Sequence, residues 1–121
     1  MDLVLALHIR LATVLVLYYT AVGLWGLALG IRDIGPTPGY RGAIVIAEIA
    51  AIGQGAAGLL TLALVRPPDS MIHVLYGAAL VLAMPLAATL VRDRTARGQS
   101  VALGLAALFS AGLAIRGITT A

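Results

Sequence analysis

The sequence has few charged residues, no cysteine and no lysine. Charged residues make up 11% of the 121 residues and hydrophobic residues 61%, whereas an ordinary soluble domain is about 25% charged. A soluble domain of this length could not bury so much apolar surface, so lipid must solvate much of the chain. The absence of cysteine excludes disulfides, thiolate metal sites, iron–sulfur clusters and covalent c-type heme attachment.

The basic residues are eight arginines, which give a sequence pI near 10.0. They mostly flank apolar runs, where they orient helices in a membrane, and they do not form the continuous basic stripe of a nucleic-acid-binding surface. We therefore expect membrane lipid and no nucleic acid among the partners.

Four apolar runs are each long enough to cross a bilayer as a helix, which takes about 20 residues at about 1.5 Å per residue. The connections between them are short and contain proline, glycine or charged residues, so successive helices must be antiparallel neighbours. The sequence predicts an all-α, up-down-up-down four-helix transmembrane bundle, a single domain over residues 1–121. Its predicted spans are residues 3–30, 39–65, 70–91 and 99–117.

The distribution of arginine predicts the orientation. Five arginines lie at the first and third connections and three toward the opposite side, namely Arg32, Arg41, Arg92, Arg94 and Arg97 against Arg10, Arg66 and Arg116. Positive residues favour the cytoplasm, so both termini are expected outside. We expect a multi-pass protein of a bacterial cytoplasmic membrane, because the lack of lysine suggests a GC-rich bacterial genome.

The sequence contains two histidines, His8 and His73, near the starts of the first and third spans. These spans run in the same direction, so the two imidazoles are expected at similar depth. Two imidazoles that face each other across a bundle can be the axial ligands of a heme iron. Ala12 and Gly77 lie one turn below the histidines and leave room for a planar ring.

Each histidine has a simpler interpretation, a hydrogen bond to a lipid headgroup or to a neighbouring carbonyl. A zinc site is less suitable, because two imidazoles without cysteine or nearby carboxylates make a poor tetrahedral shell. A heme would also need donors for its propionates, and Arg66 and Arg116 lie on the same side as the histidines. Arg10 has a suitable depth but lies roughly 200° around the helix from His8.

Glu48 lies about two turns inside the second span, where an ionised group costs about 2.5–3.5 kcal/mol. Tyr18 and Tyr19 are expected at similar depth on the first helix. The three residues could form a proton site or a quinol site. Alternatively, a protonated Glu48 hydrogen-bonds Tyr18 or Tyr19 between the helices.

The order of these motifs resembles one half of the heme A synthase family. The resemblance covers residues 7–90: His8 at the head of one span, the sequence QGAAGLLT at 54–61 in the next, Pro67-Pro68, and His73 opening the third. Members of that family have eight helices in two similar halves, and each half holds one heme between a histidine pair. The resemblance implies that His8 and His73 are axial ligands and that Gln54 and Thr61 are packing or supporting positions.

The sequence also departs from that family. The family has a carboxylate three residues before the first histidine, where this chain has Leu5, and an arginine directly after it, where this chain has Ile9. Only one half is present, so chemistry that needs a second heme would require a dimer, and a homodimer is expected.

Our leading hypothesis is a protein that binds heme b, or another heme type, and serves in electron transfer or heme handling without turnover of a substrate. The first alternative is a cofactor-free structural or assembly subunit of a larger respiratory or photosynthetic membrane complex. The second is a transporter-like dimer that uses Glu48 as a proton site.

Overall fold

A computed structural model of the chain describes residues 2–64 and 71–120. It contains four helices, α1 (Asp2–Ile31), α2 (Pro38–Leu64), α3 (Met71–Leu90) and α4 (Ala96–Thr119), and the described residues form no strand. All four helices are long and apolar enough to cross a membrane. The predicted all-α bundle with four membrane spans is therefore confirmed.

The helices pack as the four corners of a square. α1 contacts α4 most extensively, α3 also packs on α4, α1 packs on α2, and the α2–α3 contact is the smallest. α1 and α3 lie diagonally opposite each other, and in the described residues their backbones do not approach each other closely. Any side chains of α1 and α3 that meet must therefore do so across the interior of the bundle.

Glycines bring α1 and α4 together. A Cβ atom added to Gly104 would lie 2.9 Å from the Gly23 oxygen and 2.9 Å from the Leu27 nitrogen, and one added to Gly26 would lie 2.7 Å from the Gly104 Cα. These neighbours are backbone atoms, which cannot move aside as a flexible side chain can. The glycines of α1 therefore serve close helix packing, as small residues often do in membranes.

The helix ends follow from local capping chemistry. α1 ends in a Schellman motif, in which Ile34 N–H donates to the Leu29 carbonyl at 2.8 Å and Asp33 has a positive φ of 57°. Thr37 Oγ1 caps α2 by accepting a bond from Tyr40 N–H at 3.1 Å.

The start of the fourth helix differs from the prediction. Thr95 Oγ1 accepts a hydrogen bond from Gly98 N–H, so α4 begins at Ala96 rather than at residue 99. The N-cap satisfies a backbone donor in the first turn, which lets residues predicted to form the connection become helical instead.

The two ends of the bundle differ in packing. We call the end where α1 begins and α4 ends the terminal end, and the opposite end the loop end. At the loop end, Ser100 Oγ donates to the Ile34 carbonyl at 2.6 Å and the Tyr40 hydroxyl to the Val22 carbonyl at 3.0 Å. The largest fully buried side chains lie in the middle of the bundle or toward the loop end: Leu15, Tyr19, Tyr40, Met84, Leu103 and Ser100, with Ser110 nearer the other end. The terminal end has fewer large interior side chains to fill it.

Candidate functional site

Two imidazole rings meet inside the terminal end of the bundle. The centres of the His8 and His73 rings are 6.0 Å apart, and the ring planes form an angle of 81°. Both residues are half-buried. The histidines thus face each other from diagonally opposite helices, α1 and α3, and do not point outward into lipid.

The His73 ring is held in place by the backbone of α4. Its Nδ1 lies 2.8 Å from the Gly117 carbonyl oxygen. A carbonyl can only accept a hydrogen bond, so Nδ1 carries the proton and Nε2 of the neutral ring keeps its lone pair. This is the hydrogen bond to a neighbouring carbonyl that the simpler interpretation expected for His73. It also orients the ring, in the way that a hydrogen bond to the second nitrogen orients a metal-bound histidine.

The His8 ring lies against α2. A Cβ atom added to Gly58 would be 3.1 Å from His8 Cε1, so a larger residue there would require the ring to shift slightly away from α2. Gln54, one turn earlier on α2, donates from Nε2 to the His8 backbone carbonyl at 2.8 Å. α2 therefore fixes the position of this turn of α1.

Two polar atoms beside His8 have no hydrogen-bond partner among the described residues. They are Nδ1 of His8 and Oε1 of Gln54, and both are buried. The Gln54 side chain nevertheless interacts with the His8 ring, so the two atoms belong to neighbouring polar groups. A buried polar atom without a well-formed hydrogen bond costs about 1–3 kcal/mol.

Small residues leave space next to the pair. Cβ atoms added to Gly77, one turn after His73, or to Gly117 would meet no atom within 4 Å. Ala12, one turn after His8, is half-buried. Ala12 and Gly77, which were predicted to leave room for a planar ring, thus lie on the helices that carry the histidines. Open space is present at Gly77.

The predicted propionate partners have different positions. Arg116 is exposed at the terminal end, and its guanidinium carbon lies 5.6 Å from the centre of the Tyr76 ring, one turn along α3 from His73. Arg66 lies outside the described residues. Arg10 is exposed and lies in a groove on the outside of the α1–α2 seam, away from the histidine pair.

The separation of the two rings fits one shared metal ion. Two imidazoles on opposite sides of one ion have ring centres about 6 Å apart, because each metal–nitrogen bond is about 2 Å and each nitrogen about 1 Å from its ring centre. No group of three or more His, Asp or Glu side chains gathers anywhere in residues 2–64 and 71–120. The two imidazoles therefore do not form a complete metal site by themselves.

Neither tyrosine hydroxyl hydrogen-bonds to Glu48, although Glu48 lies near enough to Tyr19 to act on it electrostatically. Tyr18 donates to the Ala43 carbonyl at 2.9 Å and Tyr19 to the Ala47 carbonyl at 3.4 Å. Glu48 instead lies in a groove with Met84, Pro85 and Ala88 of α3, and its buried Oε1 has no hydrogen-bond partner in the described chain. The expected bond from Glu48 to Tyr18 or Tyr19 is therefore wrong, because backbone carbonyls of α2 accept both phenol protons.

Sequence reasoning missed two contributors to the site. Gly117 acts through its backbone carbonyl, which every residue has, so no sequence signal could have identified it. Tyr76 could have been noticed, since it lies three residues after His73 and therefore on nearly the same face of α3.

Comparisons of the chain with protein-family models, with curated proteins and with solved structures gave no match. The function must therefore be argued from the geometry of the histidine pair.

Proposed function

We propose that this chain is a heme-binding integral membrane protein in which His8 and His73 are the two axial ligands of one b-type heme. The observation that carries the proposal is the 6.0 Å separation of two imidazoles presented by diagonally opposite helices. This separation matches the spacing of two imidazoles that share one iron.

The surrounding residues support this assignment. The Gly117 carbonyl fixes the tautomer of His73, so that Nε2 carries the lone pair that would bind iron. The open space at Gly77 gives a flat ring somewhere to lie, and Arg116 supplies a charged donor at the rim for a propionate. His8 and His73 would hold a bound heme, which would supply one-electron redox chemistry.

The role we propose is electron transfer or heme handling. The resemblance to half of a heme A synthase supports heme binding near one face of the membrane. The carboxylate that this family has before its first histidine is replaced by Leu5. We therefore do not propose that the chain converts a substrate at this heme.

The test is a reduced-minus-oxidised absorption spectrum of protein purified in detergent, before and after addition of heme. We expect a low-spin b-type spectrum with about one heme per chain. His8→Ala and His73→Ala should each lose the low-spin signal or most of the bound heme, because each removes one of two iron ligands. Thr13→Ala is the matched control, since Thr13 is exposed on α1 close to His8.

A different result would favour the first alternative. Protein that stays colourless after heme addition, folds normally and co-purifies with a larger membrane complex would be a cofactor-free subunit. In that case both histidine variants should assemble like the wild type.

We further propose a bacterial cytoplasmic membrane location with both termini outside. The support is the excess of arginine at the loop end, where five of the eight lie. Cysteines introduced singly near Asp33 and near Thr120 would test this, because only the one outside should react with an impermeant thiol reagent in intact cells.

We also propose a homodimer, since two copies would rebuild the eight-helix arrangement of the family that the chain resembles. Native mass spectrometry in detergent measures the number of chains directly. A monomer at all concentrations would contradict this part of the proposal and leave the heme ligation intact.

A further inference from the structure

An apolar groove runs along the outside of the seam between α1 and α2, toward the terminal end. It has a volume of about 380 Å³ and is lined by Leu7, Arg10, Leu11, Val14, Gly53 and Ala57. We call it the α1–α2 groove. Its position on the bundle surface makes it open to the acyl chains of the surrounding lipid, whereas the histidine pair lies inside.

The floor of the groove is formed by small residues of α2. A Cβ atom added to Gly53 would meet no atom within 4 Å, and Gly53 is exposed. The larger side chains, Leu7, Leu11 and Val14, form the wall on α1. The channel has apolar walls and only small residues on its floor. It is therefore complementary to an acyl chain in shape and polarity.

Arg10 is the charged group of the groove. In the described part of the chain, no hydrogen bond or ion pair engages its guanidinium, and the side chain is exposed. α1 is 30 residues long, about 45 Å, and therefore exceeds the roughly 30 Å of hydrocarbon at both ends. Arg10 lies about 12 Å from the start of α1, so its side chain can reach the headgroup layer by snorkelling.

A guanidinium that reaches the headgroup layer meets lipid phosphates there. A lipid phosphate is a strong partner, because guanidinium donates two parallel charge-assisted hydrogen bonds to it. The same lipid can place one acyl chain in the groove directly below its headgroup.

We propose that the α1–α2 groove binds an anionic phospholipid, with the headgroup phosphate on Arg10 and one acyl chain along Gly53 and Ala57. Charge complementarity selects a headgroup with net negative charge over a zwitterionic one, whose own cation competes for the phosphate. This site is separate from the histidine pair and does not depend on heme binding.

The test compares phosphatidylglycerol with phosphatidylcholine, added to delipidated protein in detergent. Native mass spectrometry measures bound lipid, and a thermal melt measures the accompanying rise in Tm. We expect the wild type to bind phosphatidylglycerol more tightly than phosphatidylcholine. Arg10→Gln should weaken phosphatidylglycerol binding about tenfold, the loss of one charge-assisted contact, and reduce the preference between the two lipids.

Gly53→Leu should weaken both lipids alike, because it fills the channel for the acyl chain without removing the charge. Two matched controls are Arg32→Gln, an exposed arginine at the loop end, and Gly42→Leu, an exposed glycine of α2 with no neighbour within 4 Å. Both controls should bind lipid like the wild type. Equal binding of the two lipids by the wild type, or an equal loss in Arg10→Gln and Arg32→Gln, would overturn the proposal.

Discussion

The imidazole of His8 lies 6.0 Å from the imidazole of His73, and the two ring planes are nearly perpendicular at 81°. The helices that carry them, α1 and α3, lie diagonally opposite, and their described backbones do not approach each other closely. The contact is therefore made by the side chains alone, which reach across the bundle from opposite corners. Both rings are half-buried at this contact.

The angle between the rings predicts the magnetic behaviour of a bound ferric heme. Perpendicular axial imidazoles interact with two different iron d orbitals of π symmetry and leave them nearly equal in energy. We therefore expect a strongly anisotropic low-spin EPR signal from the reconstituted ferric protein. A rhombic signal typical of parallel imidazoles would contradict the ring orientation described here, although it would still indicate two histidine ligands.

Substitution of Gly77 by leucine should block heme binding without unfolding the chain. A Cβ atom at this position meets no atom within 4 Å, so a leucine side chain one turn after His73 can be accommodated. We expect heme content to fall at least several-fold while helix content and Tm stay near wild type. Gly112→Leu is the matched control, because Gly112 is exposed on α4 and also has no neighbour within 4 Å. Full heme occupancy in Gly77→Leu would show that the ring lies elsewhere.

Substitution of Gly104 by alanine should separate α1 from α4. The added Cβ would lie 2.9 Å from backbone atoms of Gly23 and Leu27, and overpacking of this kind costs about 1–3 kcal/mol. Reversible unfolding in mixed micelles with SDS would measure the loss of unfolding free energy. Gly112→Ala, on the same helix with open space around it, should be unchanged or slightly more stable. Equal stability of the two variants would mean that the close α1–α4 contact is not present in the membrane.

Substitution of Glu48 by glutamine should not lower stability. The Glu48 Oε1 atom is buried and has no hydrogen-bond partner among the described residues, so the carboxyl contributes no bond that glutamine would remove. Because an ionised group inside a span costs about 2.5–3.5 kcal/mol, the variant should have an unfolding free energy between zero and about 3 kcal/mol above wild type. A decrease in unfolding free energy of more than about 1 kcal/mol would indicate that Glu48 has a polar partner. Such a result would favour the proton-site hypothesis.

Much of the architecture followed from single segments of sequence. The predicted first and second spans, residues 3–30 and 39–65, agree within about a residue with α1 (Asp2–Ile31) and α2 (Pro38–Leu64). The fourth helix began three residues earlier than predicted, because Thr95 provides an N-cap that extends it. Capping is local chemistry, so this difference could have been read from the sequence.

The hydrogen-bond partners of the polar side chains could not be predicted from the sequence. Tyr18 and Tyr19 donate to backbone carbonyls of α2 instead of to Glu48, and His73 is oriented by the Gly117 carbonyl. Backbone acceptors have no sequence signature, so the choice between a side-chain and a backbone partner depends on how the helices are rotated. That rotation also decides that Arg10 faces the lipid while Arg116 lies beside Tyr76.

The sequence alone determined that four helices cross the membrane and that His8 and His73 begin two parallel ones, because hydropathy and chain direction are properties of each segment. Tertiary structure alone decided that the two rings meet, that glycines join α1 to α4, and that the Glu48 Oε1 atom has no hydrogen-bond partner among the described residues. The physical reason is that lipid is as apolar as the bundle interior. A lipid-facing side and an interior side of such a helix therefore look alike in sequence, and only packing between helices distinguishes them.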